Sequence, residues 1–177
     1  MRTTAYFPNP SDPLFKRLLE RLRLNSRPIK LTIEPDVSAR PNFCFQNVED
    51  RIARDGGSIV FGWALWRLEP FFIEAEHHAV YRSIGKTRLS DITPAVDKFD
   101  RYRVFIRDQS AAYDFDKPHL RRVNVRIPIY NNITQINELI GFLEEKDNIL
   151  RSYPLGEISL NASDSKRWKE IESRQLS

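Results

Sequence analysis

One cysteine and two adjacent histidines carry most of the chemistry that this sequence offers. Cys44 is the only cysteine among 177 residues. It stands where an apolar stripe of helical spacing begins, Cys44, Val48 and Ile52, with Gln46 and Asp50 turned away. A thiol attacks as its thiolate, and the free N–H groups and dipole of a helix N-terminus favour that anion. A neighbouring imidazole can take the proton, and a carboxylate on its far nitrogen fixes the tautomer. His77 and His78 fall in "FFIEAEHHAVYRS" and Asp91 in "RLSDIT", both strand-like runs. Because strand side chains alternate, His78 shares a face with Glu74, Glu76 and Val80, and His77 with Ala75, Ala79 and Tyr81. Polarity makes His78 the cleft candidate and His77 a satisfied histidine at the edge of the core. If the two strands pair through "SIGKT", His78 and Asp91 become near neighbours across a ladder, about 5 Å apart at Cβ.

Other residues could tune such a site. The Cys44 backbone N–H, with the side chain of Asn42, Gln46 or Asn47, is the physically reasonable oxyanion donor set. Glu74 and Glu76 either solvate a strand face or surround His78, where they would favour its charged form. Trp63 and Trp66 either pack the core or form a substrate wall. His119, beside Pro118 in loop-like sequence, is given no role. Cys44, His78 and Asp91, or Glu76, are also zinc-ligand types, but no short chelating spacing supports a metal, and no cofactor is expected.

These residues need elements to hold them. "PNPSDPLFKRLLERLRL" reads as a helix capped by Ser11 or Asp12, with Leu14, Leu18, Leu19 and Leu22 as its stripe. "IKLTI" is a short strand in a proline-punctuated connector. The helix bearing Cys44 runs from Asn42 or Cys44 to Arg54, and Gly56-Gly57 ends it. Strands follow in "SIVFGWALWRL", "FFIEAEHHAVYRS", "RLSDIT", "YRVFI" and "RRVNVRIPIY", then helices in "TQINELIGFLEEKDNILRS" and "SDSKRWKEIESRQ". The fold class expected is α+β: an antiparallel sheet with the Cys44 helix packed on it, plus N- and C-terminal helices. One domain spans residues 1–177, with a catalytic-like core over about 30–130 and a helical extension over about 131–177.

Composition bounds the classes of function. Hydrophobic content of 41% and charged content of 29% are those of a folded soluble domain. One cysteine excludes an internal disulfide and any cysteine-rich zinc module. No apolar signal region or membrane-spanning stretch is found, so cytoplasmic residence is expected. Some of the basic residues behind the net charge of +4 cluster in "LFKRLLERLRLNSRPIK", which reads either as a solvated helix face or as a contact for a phosphate or an acidic partner. No aromatic residues interleave with those charges, so nucleic acid is not an expected partner.

The block over residues 42 to 94 resembles a known arrangement. A Cys at a helix start, "HAVY" on one strand and "LSDITP" on the next look like the core of transglutaminase-like enzymes of the papain fold. It is also similar to a set of uncharacterised bacterial proteins bearing "GG…GW.IW…EAE.HAVW…D.TP"; some of those carry a zinc-binding tail, which this chain lacks. The resemblance implies a papain-like core with Cys44 as nucleophile, His78 as general base and acid, and Asp91 as orienting carboxylate. One departure is local: many such enzymes place a tryptophan beside the nucleophile, where this chain has Phe43 and Phe45. The function expected is a cysteine-dependent amide hydrolase or acyl-transfer enzyme (protease, deamidase or transglutaminase-like) acting on a peptide or protein amide. The alternatives are a non-catalytic binding module on the same fold and a zinc-binding protein.

Overall fold

The structure is a computed structural model and describes residues 4–9, 11–97, 100–117, 122–153 and 159–175. In chain order its elements are β1 (Thr4–Ala5), α1 (Pro13–Leu22), β2 (Ile29–Thr32), α2 (Cys44–Asp55), β3 (Ser58–Leu68) and β4 (Phe72–Arg82). They continue with β5 (Leu89–Ser90), β6 (Tyr102–Arg107), a 3-10 turn over Gln109–Ala111, β7 (Val125–Pro128), α3 (Thr134–Leu150) and α4 (Ala162–Gln175). The class is α+β. Seven strands form one antiparallel sheet, ordered β2-β6-β3-β4-β5, with β1 added to β3 and β7 to β4.

β3 and β4 are the runs richest in β-branched and aromatic residues, and they pair over their whole length, with Gly62 opposite His78 and Trp63 opposite His77. Alternation then divides the sheet into two faces. One is covered by α1, whose Phe15 and Leu18 pack among Trp63, Leu65, Ile73 and Ile106, and by α2, whose Phe45 and Val48 pack against Ala79, Tyr81 and Ile92. The other face holds Leu31, Val60, Val80, Leu89 and Phe105. α3 closes one end of it through Ile136 and Ile140 against Phe72. α4 lies against α3, tied by Lys146–Glu172 and Arg174–Glu145 ion pairs.

The third strand of the expected series is shorter than its sequence suggests. Only Leu89 and Ser90 pair with β4, because Asp91 turns away to form a parallel bridge with Ile33. The Glu34 N–H donates to the Asp91 carbonyl at 2.8 Å and the Asp36 N–H to the Ile92 carbonyl at 3.1 Å, drawing β2 and β5 together. Of "RRVNVRIPIY", Arg121 lies outside the described residues, and the rest is a strand only over β7; Asn124 accepts from the His77 N–H of β4 with its side chain. In α1, Asp12 caps the helix by accepting from the Leu14 N–H at 2.9 Å. Lys16 and Arg21 of this helix, and Arg23 and Arg27 beyond it, are exposed, whereas Arg17 is half-buried and donates to the Pro128 carbonyl.

Candidate active site

Cys44 owes its position to the loop before it. Asp36 is buried beneath α2 and receives the guanidinium groups of Arg54 and Arg51, which hold its carboxyl well below the usual carboxylate range. One turn into the helix, the buried Asn47 clamps Arg40 from both sides: it accepts from the Arg40 N–H at 2.9 Å and donates to the Arg40 carbonyl at 2.8 Å. Its Nδ2 also donates to Thr93 Oγ1 at 3.1 Å. The helix N-terminus is thereby tied to the segment that carries Asp91. Asn47→Ala strands these buried groups, and a loss of about 1–3 kcal/mol is expected in urea unfolding. A loss under about 0.5 kcal/mol would show that the loop is held by other contacts.

Between the β7 partners, Phe72–Ala75, and the β5 partners, Tyr81 and Arg82, no strand lies beside the outer edge of β4 among the described residues. A cleft of about 600 Å³ follows this gap. It is lined by Thr93 and Asn124 at the flanks, by Cys44 and Phe45 from α2, and by His77 and His78 from β4. The Phe43 side chain makes no capping bond at the start of α2, and the first helical bond runs from the Asn47 N–H to the Phe43 carbonyl. The preceding N–H groups of that turn have no partner within the helix.

His78 and Asp91 meet on the far face of the sheet from α2. The β4–β5 pairing ends with Tyr81 opposite Ser90, which leaves Asp91, the next residue, close to the stretch of β4 that carries His78. His78 Nε2 is bonded to Asp91 Oδ2 at 3.0 Å, and Asp91 Oδ1 accepts from the Thr93 N–H at 3.0 Å. Arg103 Nε makes an ion pair with the same Oδ2. Asp91 is 0% exposed and His78 2%. Burial opposes a charge on His78 most strongly, yet the Asp91 carboxylate and then the Cys44 sulfur outweigh it, and the imidazole is pushed up to about 10. Burial likewise works against ionised Asp91, but His78 and Arg103 together hold it below the usual carboxylate range. Asp91 occupies Nε2 of His78, and Nδ1 is the other ring nitrogen.

The remaining residues of interest divide by what they touch. Asn42, in a left-handed backbone conformation, lines the cleft, as do Trp66, Glu74 and Glu76. Asn47 does not serve as an oxyanion donor, since its amide is engaged by Arg40 and Thr93. Gln46 does not line the cleft; its Oε1 is buried without a hydrogen-bond partner. Trp63 is no part of a pocket wall: it sits in the core with its indole N–H donating to Asp108 Oδ2 at 2.8 Å. Glu74 pairs with Arg126 at 2.6 Å, burial nevertheless raising its pKa, and Glu76 accepts from Trp66 Nε1 at 2.6 Å. Neither carboxylate is bonded to His78.

His77 is a packed, neutral residue. Its Nε2–H donates to the Ala111 carbonyl at 2.6 Å, its Nδ1 accepts from the Arg122 N–H at 3.1 Å, and burial pushes its pKa down to about 4. Phe45 lies between it and Tyr113, tilted at 53° to the imidazole with centroids 4.7 Å apart and stacked on the Tyr113 ring at 4.4 Å. His119 lies outside the described residues. Arg103 is the important residue that the sequence reading missed. The signal was present, because alternation in "YRVFI" puts Arg103 on the same face as Phe105, where a lone buried cation requires an anion.

No family model, curated protein or solved structure matches the chain. Among the described residues no group of three His, Cys, Asp or Glu side chains is placed to hold a metal, and no helix is long and apolar enough to cross a membrane.

Proposed function

We propose that this protein is a cysteine-dependent amide hydrolase or acyl-transfer enzyme of papain/transglutaminase-like build, acting in the cytoplasm on peptide or protein amides. The observation that supports the reading is the buried His78–Asp91 pair: Asp91 holds Nε2 of His78, and His78 lines the same cleft as Cys44. The Cys44 sulfur attacks the amide carbonyl carbon, forming a C–S bond and placing negative charge on the carbonyl oxygen. The Cys44 N–H and the Asn42 side chain are the donors for that oxygen. Collapse of the adduct breaks the C–N bond, and protonated His78 gives its Nδ1 proton to the leaving nitrogen. His78 then takes a proton from water or an acceptor amine. That nucleophile adds to the thioester carbonyl, and the Cys44 sulfur departs. Hydrolysis or deamidation follows in the first case and transamidation in the second. Asp91 holds the ring orientation throughout, and Arg103 keeps Asp91 ionised.

p-Nitrophenyl acetate tests this without a known substrate. One acetyl group per chain is expected, located on Cys44 by peptide mass mapping. None should form in Cys44→Ala, and His78→Gln should slow acetylation by about 100-fold or more. Acetylation that is unchanged in His78→Gln, or that never reaches Cys44, would favour a binding module in which the three residues are incidental.

A further inference from the structure

The cleft has a charge opposite in sign to the whole molecule. The chain carries +4, yet the described residues lining the cleft include five carboxylates, on Glu74, Glu76, Asp97, Asp100 and Asp147, against three cationic groups, the guanidiniums of Arg103 and Arg122 and the imidazolium of His78. Part of this charge is balanced internally. Arg103 faces Asp91, while Glu74 and Asp147 share Arg126 at 2.6 and 2.7 Å. Glu76 is different. Its one hydrogen bond comes from the neutral indole of Trp66, and it pairs with no cation among the described residues. A neutral donor orients the carboxylate and leaves its charge in place.

The strand fixes where that charge lies. Glu76 and His78 are two residues apart on one face of β4, so their Cα atoms are about 7 Å apart. An extended substrate chain has a similar rise per residue, which brings Glu76 within reach of a side chain close to the attacked carbonyl. We infer that Glu76 selects an amide substrate bearing a lysine or arginine side chain within about two residues of the carbonyl that Cys44 attacks. The inference rests on the nucleophile reading above and adds the substrate class to it. A cleft lined mainly by one sign of charge concentrates its field, which raises the local concentration of a cationic substrate.

Because Cys44 is the only cysteine, charged thiol reagents report the field at its sulfur. The probes are cationic trimethylammonioethyl methanethiosulfonate and anionic sulfonatoethyl methanethiosulfonate, with rates normalised to those of a small free thiol. The normalised cation-to-anion ratio is expected to be at least about tenfold above unity. Glu76→Gln keeps an acceptor for the Trp66 indole and should remove most of the excess. In the unaltered chain, raising salt from about 0.01 to 1 M should collapse it as the Debye length shortens. A lysine-containing tripeptide amide should protect Cys44 from iodoacetamide at concentrations where its norleucine analogue does not. A ratio near unity, an excess that survives Glu76→Gln or high salt, or equal protection by both peptides overturns the selectivity and leaves the nucleophile standing. A Cys44 that reacts with none of these reagents overturns both.

Discussion

Asp91→Asn is expected to lower the unfolding free energy by about 3–5 kcal/mol, because it removes the one anion shared by two buried cations. Asp91 Oδ2 takes both His78 and Arg103, and Asp91 has no exposure to water. Asparagine preserves the shape and can still accept from the Thr93 N–H, so the loss reports charge rather than volume. The pH dependence carries a second signature. The folded-state pKa of His78 is raised to about 10, against about 6.5 in an unfolded chain. Its contribution is therefore complete below about pH 6.5 and is lost as pH rises through about 10. Asp91 has the opposite sense: its folded-state pKa is lowered, so its contribution holds above the ordinary carboxylate range and fades as pH falls below it. Urea unfolding of the unaltered chain should thus show falling stability between about pH 6.5 and 10, and Asp91→Asn should flatten that slope. A loss under about 1 kcal/mol with an unchanged slope would mean that the pair is not ionised in the folded protein.

Gly62→Ala is expected to cost at least about 3 kcal/mol, at the upper end for overpacking. Gly62 is the residue of β3 that faces His78 on one side and Arg107 of β6 on the other. A Cβ there would lie 2.0 Å from the Ile106 carbonyl oxygen and 2.6 Å from Cζ of Phe105. The ring could yield, but the carbonyl belongs to the paired strand and cannot move without breaking the ladder. The same Phe105 presents its ring to His78, with centroids 6.3 Å apart at 70°. The missing side chain therefore leaves room for the aromatic floor beneath the imidazole. Chemical denaturation measures the cost. The double variant with Phe105→Leu should recover part of it, and a Gly62→Ala protein within about 1 kcal/mol of the parent would show that the strands can separate there.

The elements were legible wherever local pattern and tertiary demand agreed. "SIVFGWALWRL" and the amphipathic run after Asp12 needed only alternation and helical spacing to be read. Asp91 was legible as a partner for His78 because a strand that follows a tight turn returns along its neighbour. Its departure to bridge Ile33 was not, since pairing between distant segments leaves no local mark. The two-residue β1 is too short to carry a pattern. Residue type alone makes an amide near a nucleophile an oxyanion candidate, but Asn47 has specific buried partners, Arg40 and Thr93, set by the fold. Of the two readings open for Trp63, core packing is the one the fold takes, with its indole on Asp108. Arg103 was overlooked for the converse reason: an arginine in a strand reads as solvent-facing until its face is known to be covered.

The most direct measurement of the central claim is the rate at which iodoacetamide alkylates Cys44, taken across pH in the parent and in His78→Gln. An ordinary thiol, half ionised near about pH 8.5, slows by more than about 100-fold on going to about pH 6. A sulfur paired with protonated His78 is predicted to slow by less than about tenfold over that interval, and His78→Gln is predicted to restore the steep dependence of a free thiol. If the parent already follows the free-thiol curve, or the substitution leaves the profile unchanged, Cys44 and His78 do not act together and the enzymatic account fails.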